Sequence, residues 1–462
     1  MAHLSTQEIL MRSVNPATGD VLKEFSPHSD EDVEQRIQAA QNAFPAWRST
    51  SFSERADLIT SLGEKLRAGV DEYARWMSLE MGKPIEQARG EVKKCAWVCD
   101  YYAENGAAFL EPEAVDTDAA RSHVRFDPLG VILAIMPWNF PFWQVFRFAV
   151  PTVMAGNVAL LKHASSVGGC AEHISNIFEE AGFPDGVFNH LLIGNEKAGE
   201  VIRHPAIRGV ALTGSTRAGK SVGAAAGETL KPCVLELGGS DPFVVLADCD
   251  LDRTVEKAVY ARVMNNGQSC IAAKRFIIED SIYDSFVEKM QSAFEELTLG
   301  DPTDENTDVG PMAREDLRDE LHKQVQKSID QGARCLVGGK PGDGPGYFYE
   351  PTILVDVTSS MVAFCEETFG PVAAVIRAKN ADHAIELAND SDFGLGASIW
   401  TTDDRGEEYA KRLEAGAVSV NEIVKSDPRL PFGGIKDSGF GRELSHYGIR
   451  EFVNIKSVYV HE

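Results

Sequence analysis

The sequence predicts an α/β protein organised around parallel sheets. Three observations carry that reading. From about residue 130, short β-rich runs alternate with amphipathic stretches, and each run is closed by Gly, Pro, Asn or Ser. The apolar fraction is 44% and the charged fraction 25%, ordinary globular usage that excludes global disorder. A length of 462 residues suits about three domains with a sizeable core.

The N-terminal third reads as helical after a short hairpin. Asn15-Pro16-Ala17-Thr18-Gly19 is a turn cluster. Asp30 is the expected cap of a helix with Val33, Ile37, Ala40 and Phe44 on one face, and Pro45 should end it. Ser51 and Glu54 fit a capping box for a second helix carrying Leu58, Leu62, Leu66 and Val70, stopped by Gly82-Lys83-Pro84. A third helix is expected over 90–110. The polar stretch 113–129 lacks helical periodicity and reads as an arm leaving the domain. Strands are expected at 131–135, 158–161, 188–193, 209–213, 234–237, 243–247 and 418–421, with a break between two α/β blocks at Leu237-Gly238-Gly239. Val453 to Val460 alternates like an edge strand, which invites pairing with another subunit.

Composition narrows the function classes. Lys plus Arg number 45 against 70 Asp plus Glu, a net charge of −25, so nucleic acid and anionic membrane are poor partners. The first fifteen residues lack the basic and apolar regions of a signal peptide, and LGVILAIMPW at 129–138 is too short to span a bilayer. Eight scattered cysteines with no CxxC pair fit a reducing compartment, and a cytoplasmic protein is expected. Cys95 and Cys99 sit one helical turn apart without a nearby His, so no metal site is expected.

Gly214-Ser215-Thr216-Arg217-Ala218-Gly219-Lys220-Ser221 matches the P-loop pattern between a strand and a helix, and Asp248 ends a run that passes as its partner strand. Three strands precede this one, however, and no water-activating residue follows Asp248. A helix N-terminus that binds a cofactor pyrophosphate, or a turn with no ligand, fits the same residues. Lys220 and Ser221 also fit a solvated helix face.

Four further stretches are Pro137-Trp138-Asn139-Phe140-Pro141, Leu235-Glu236-Leu237-Gly238-Gly239, Gly267-Gln268-Ser269-Cys270 and Glu366-Glu367-Thr368-Phe369-Gly370-Pro371. In this order and spacing they resemble the aldehyde dehydrogenase family, and the resemblance runs from NPATGD at 15–20 to GGIKDSGFGRE at 433–443. Within the family, QSCIAAKRF at 268–276 and VKSDPRLPFGG at 424–434 are most similar to NADP-dependent succinate-semialdehyde dehydrogenases.

The chemistry can be argued residue by residue. Oxidising an aldehyde to an acid needs a nucleophile that forms a tetrahedral adduct, and the Cys270 thiol suits this between small neighbours. The resemblance assigns the oxyanion to Asn139 with the backbone N–H of Cys270, and thioester hydrolysis to Glu236 as general base. An apolar strand end would push the Glu236 carboxyl up, and Gly238-Gly239 leaves it room to swing. For the cofactor, the resemblance implies pyrophosphate near Ser215 with close approach at Gly194 and Gly214, Glu367 on a ribose, Phe369 against the nicotinamide and Trp138 as a wall. Ser165 stands three residues after Lys162, where NAD-preferring relatives often carry an acid. Together the two predict NADP over NAD.

A succinic semialdehyde carboxylate needs a cation. Arg147, about two turns after Asn139 on a helix with Trp143, is expected to supply it, with Ser426 and Phe432 from the C-terminal side. Broad aliphatic or hydroxyaldehyde oxidation is the alternative within this class, and a P-loop nucleotide hydrolase the alternative outside it. Ala272, two residues after Cys270, implies no disulfide switch in this loop. The implied fold has a Rossmann-like cofactor domain (1–112 and 130–237), an α/β catalytic domain (238–443) and a small β oligomerisation arm (113–129 and 444–462), giving a homodimer or homotetramer.

Overall fold

The computed structural model describes residues 10–461. The outer ends of the expected first and last segments, residues 1–9 and 462, lie outside the described residues, as does most of the stretch read for a signal peptide.

Two parallel sheets dominate. In the first, the spatial order is Gly439–Phe440, Cys233–Glu236, Ile207–Thr213, Val131–Met136, Val158–His163, Phe188–His190. All neighbours are parallel except Gly439–Phe440, which pairs antiparallel with Cys233–Glu236. That short strand falls inside the stretch expected for the second block, so the chain returns to the first sheet before its end. In chain order the five parallel strands run outward in both directions from Val131–Met136, which makes the gap between it and Ile207–Thr213 a switch point. Side chains of the central strands are almost wholly buried, as helices on both faces require.

The second sheet has seven strands, ordered Arg334–Val337, Thr352–Val355, Val372–Ala378, Ala273–Glu279, Asp241–Val245, Gly396–Trp400, Ala417–Val420. Only its Arg334–Val337 edge is antiparallel. A third sheet joins Glu113–Ala114, Arg121–Pro128 and Val453–Val460, the last two in continuous register from Val453 opposite Pro128 to Val460 opposite Arg121. The expected arm segments therefore meet in one antiparallel sheet. No helix among the described residues is long and apolar enough to cross a membrane, and all eight cysteines are free.

Local chemistry corrects three helix boundaries. Ser29, not Asp30, caps the helix Asp30–Trp47: its hydroxyl accepts from the Asp32 N–H while the Asp32 carboxylate accepts from the Ser29 N–H. Pro45 lies inside this helix, in its last turn, where a missing N–H removes a single ladder bond. Gly69 separates Phe52–Ala68 from Val70–Met81, so Val70 begins a new helix. The Ser51–Glu54 capping box is formed as expected. The last helix of this region spans Ile85–Phe109 and packs beside Trp143–Met154.

All 12 residues of Trp143–Met154 are buried. A helix that is apolar nearly all round must run through the interior, and this one carries its few polar residues, Gln144, Arg147 and Thr152, into the core. Its N-terminus is held from the Ile85–Phe109 helix: the backbone N–H groups of Phe142 and Trp143 both donate to the Glu91 carboxylate at 2.9 Å.

Candidate active site

The loops after the central strands of the first sheet open a crevice at the switch point. Its cavity of about 250 Å³ is lined by Trp138 and Asn139 after Val131–Met136, Gly214 and Ser215 after Ile207–Thr213, Gly238, Cys270, Glu367 and Phe369. This is where open parallel sheets hold nucleotide ligands. Trp138 and Phe369 meet edge to face, 5.9 Å between centroids. The Glu367 carboxylate accepts from the Gly239 N–H at 3.0 Å and pairs with Lys274 at 3.4 Å. Lys162 lies at the end of the strand Val158–His163, and Ser165 and Gly194 stand past the ends of that strand and its neighbour, all outside the cavity wall itself. Lys162 donates to the Asn195 side chain at 2.5 Å. Asn195 has no sequence signal beyond following Gly194.

Cys270 sits on a turn that the backbone has to force. Asn265, Asn266 and Gly267 take φ of 56°, 58° and 71°, three left-handed residues in succession. Asn enters that region more readily than other side chains, and here long-range bonds fix it: Asn265 Nδ2 donates to the carbonyls of Asn139 (2.8 Å) and, locally, Gln268 (2.9 Å), and Asn266 Nδ2 to those of Gly82 and Pro311. At Gly267 an added Cβ would lie 2.3 Å from the Gly370 backbone. The glycine is thus demanded by that close approach as well as by φ, beyond the sulfur access its small size suggested. Lys274 Nζ, fully buried, donates to the carbonyls of Ser269 (2.9 Å) and Cys270 (2.7 Å), fixing the loop from the following strand.

Asn139 faces the same loop. Its Nδ2 donates to the Gln268 carbonyl at 3.0 Å, and its Oδ1 accepts from Gln144 at 3.1 Å. The amide is oriented, and one of its two N–H groups is left for a ligand. Sequence reasoning missed Gln144, although an amide in a helix apolar nearly all round was the available signal.

Glu236 is buried and lines neither cavity at Cys270. Among the described residues both its carboxylate oxygens lack a hydrogen-bond partner. Gly433 leaves it space, since a Cβ there would lie 2.7 Å from Oε1. Burial first, then the Glu443 carboxylate, push the Glu236 carboxyl well above the usual range, while Arg147 and Arg442 oppose this. The environment expected from the sequence is present, but in this conformation the side chain is withdrawn from the sulfur.

On the other side of Cys270 a cavity of about 510 Å³ reaches the surface. Trp143, Arg147, Ser426 and Phe432, all expected from the sequence, line it with Gln144 and Cys270. Arg147 lies over the Phe432 ring at 4.6 Å and is ion-paired with Glu443, a partner the sequence did not suggest. One whole wall was missed: Lys83, Glu86, Gln87, Gly90, Glu91 and Lys94 come from the N-terminal helical region. Lys83 pairs with Glu91 in full burial and donates to the Asn139 carbonyl at 3.0 Å. In sequence Lys83 belongs to the Gly82-Lys83-Pro84 stop, and the others carry no motif.

Two cavities therefore meet at one sulfur, with an oriented amide beside it and a withdrawn carboxyl behind. Residues 3–458 match the aldehyde dehydrogenase family. The chain belongs to that family. It is 52% identical over 448 residues to the succinate semialdehyde dehydrogenase [NAD(P)+] of Escherichia coli K12, covering 97% of each chain. It is 49% identical over 452 residues to succinate-semialdehyde dehydrogenase [NADP(+)] 1 of Mycobacterium tuberculosis H37Rv, covering 97% of this chain and 99% of the other. The crystal structure of succinic semialdehyde dehydrogenase from Streptococcus pyogenes in complex with NADP+ superposes with a TM-score of 0.96 at 36% identity, covering 98% of this chain and 100% of that one.

The nucleotide-hydrolase reading is overturned in this aldehyde dehydrogenase. Ser215 caps the helix Thr216–Glu228, accepting from the Ala218 N–H, while Lys220 faces solvent and pairs with Asp437 at 3.2 Å. Asp248 follows a strand of the second sheet and is occupied by Thr401 and Arg405. The two halves of the would-be P-loop site thus belong to different sheets.

Burial pushes the Cys270 thiol up to about 11, with Lys274 and Arg147 pulling the other way. The cofactor-free protein should therefore carry a protonated thiol at neutral pH, not a standing thiolate. Inactivation by iodoacetamide is expected to quicken ~10-fold per pH unit from about pH 7 to about pH 9, because the thiolate is the nucleophile. A flat profile would mean that the thiolate is already formed at neutral pH.

Proposed function

We propose that this aldehyde dehydrogenase oxidises succinic semialdehyde to succinate with NADP. The observation that carries the reading is the meeting at Cys270 of a switch-point crevice with a second cavity rich in cationic side chains. The names of the relatives at about half identity support the same substrate and cofactor.

The crevice fits a dinucleotide: the Ser215-capped helix start offers N–H groups to a pyrophosphate, Trp138 and Phe369 offer an aromatic wall, and Glu367 a carboxylate for ribose hydroxyls. Lys162 and the exposed Ser165 suit a 2′-phosphate better than an acid would. NADP, when bound, supplies the hydride acceptor. The chain supplies the rest.

Cys270 Sγ bonds to the aldehyde carbon as the C=O π pair moves onto oxygen and the thiol proton passes to solvent through the open cavity. The oxyanion so formed accepts the free Nδ2–H of Asn139 and the backbone N–H of Cys270. Such a donor is worth about 100- to 1,000-fold in rate. Loss of hydride from that carbon to the bound cofactor would leave a thioester on Cys270, and release of the acid then needs water at the thioester carbon, with Sγ as the leaving group. Glu236 reaches it by swinging out of its pocket, losing its proton as it leaves the apolar surroundings and accepting one from water. Outside the pocket it is an ionised carboxylate at neutral pH and takes the water proton as the C–O bond forms.

The same reading keeps the three-part division, with a cofactor domain, a catalytic domain and an arm formed by 113–129 and 444–462. Ile455 and Tyr459, 63% and 59% exposed on Val453–Val460, suit burial against a second copy in a homodimer or homotetramer.

Initial rates with a panel of aldehydes against both cofactors test the assignment, with the highest kcat/KM expected for succinic semialdehyde and NADP. A tenfold preference for NAD would overturn the cofactor half. Ser165→Glu should move the kcat/KM ratio toward NAD. Glu236→Gln should cut kcat by ~100- to 10,000-fold while sparing a first-turnover burst of reduced cofactor, and should remove the rise of kcat with pH. A variant without the burst would mean that Glu236 acts before the thioester. Ile455→Arg with Tyr459→Arg should yield a smaller species in sedimentation velocity.

A further inference from the structure

Four cationic side chains line the wide cavity beside Cys270: Lys83, Lys94, Arg147 and Lys425. Three already have a carboxylate. Lys83 is paired with Glu91, Arg147 with Glu443, and Lys425 with Glu422 at 3.2 Å. Among the described residues no carboxylate lies within 4.0 Å of the Lys94 ammonium. Its Nζ donates instead to Ser426 Oγ at 2.7 Å and lies 4.2 Å from the centre of the Trp143 ring.

The Ser426 hydroxyl completes the pattern. It also accepts from Trp143 Nε1, at 3.0 Å. With two donors aimed at its oxygen, its own O–H remains free to donate, and Ser426 lines the cavity. Two N–H groups of Lys94 are likewise unused. An unpaired ammonium and a free hydroxyl, 2.7 Å apart on one wall, match the two oxygens of a carboxylate.

We infer that Lys94, with the Ser426 hydroxyl, binds the carboxylate at the far end of the substrate, and that this residue makes the cavity select an ω-carboxy aldehyde over an uncharged one. The inference rests on the substrate reading above and names its specificity residue. Arg147, paired with Glu443 and lying over the Phe432 ring, lines the same cavity and keeps N–H groups for the same carboxylate; Lys94 is the cation there without a carboxylate partner of its own.

The setting of Lys94 makes the selection pH-dependent. Burial, then Arg147 on the facing helix, lower its ammonium to about 8. Cys95 and Glu91 on its own helix and Asp427 on the C-terminal loop act in the opposite sense. Asp427 is engaged by Arg429 at 2.7 Å. Below about pH 8 Lys94 is a cation and attracts the carboxylate; above it the free enzyme loses that charge.

The test compares kcat/KM for succinic semialdehyde and butanal, at saturating NADP, across about pH 6.5 to 9.5, in the wild type, Lys94→Met and Lys94→Arg. Lys94→Met should lose about 10- to 100-fold on succinic semialdehyde, through KM, as expected for a hydrogen-bonded charge pair. Its butanal activity, which also reports the intact fold, should stay within about threefold. Lys94→Arg should restore the preference. The wild-type ratio should fall as pH rises through about 8, and the Lys94→Met ratio should be flat. A wild type that prefers succinic semialdehyde beside a Lys94→Met protein with the same preference would overturn the role of Lys94 alone. Equal losses on both substrates would do so too. A wild type without any preference would overturn the substrate reading, and this inference with it.

Discussion

The peptide carbonyl of Asn139 is the joint on which the site depends. It accepts from Lys83 of the N-terminal region at 3.0 Å and from Asn265 of the Cys270 loop at 2.8 Å. The side chain of the same residue reaches the Gln268 carbonyl. One residue after the central strand of the first sheet is thereby tied to the helical cover and to the loop entering the second sheet. Each tie is buried, where an unmade hydrogen bond costs about 1–3 kcal/mol. The loop that carries the sulfur and the Asn139 amide are thereby held in one frame.

Charge is managed just as tightly. The chain has a net charge of −25, yet the centre contains cations in fixed pairs: Lys83 with Glu91, Arg147 with Glu443, Lys274 with Glu367. Removing one partner of a buried pair leaves an uncompensated charge at a cost of about 3–5 kcal/mol. Such groups are structural commitments before they are ligand contacts. Glu236 is the exception, since its oxygens accept nothing among the described residues. A carboxyl pushed toward its neutral form by burial beside Glu443 has no hydrogen bond to hold it there.

Much of this was legible residue by residue. The alternation of short apolar runs and amphipathic stretches gave both sheets, because a strand buried on two faces has to be continuously apolar. The Ser51–Glu54 box formed because its two hydrogen bonds are local. Asp30 was misplaced as a cap by one residue, since Ser29 and Asp32 form the equivalent box just upstream. The short strand Gly439–Phe440 was invisible, because two residues carry no period and its partner lies about 200 positions away.

The sequence by itself determined the chemistry available: a thiol at 270 between small residues, an amide at 139 after a strand, a carboxyl at 236 in an apolar run, and a polar helix start at 215. Only the tertiary structure decided which of these groups meet and in what electrical state. It drew Glu236 away from the sulfur, paired Arg147 with Glu443, placed the P-loop-like lysine on the surface, and made Lys83, Glu91 and Lys94 part of a cavity wall. The reason is physical. Periodicity and capping act over one or two turns, whereas desolvation and ion pairing depend on residues hundreds of positions apart that only the folded chain brings together.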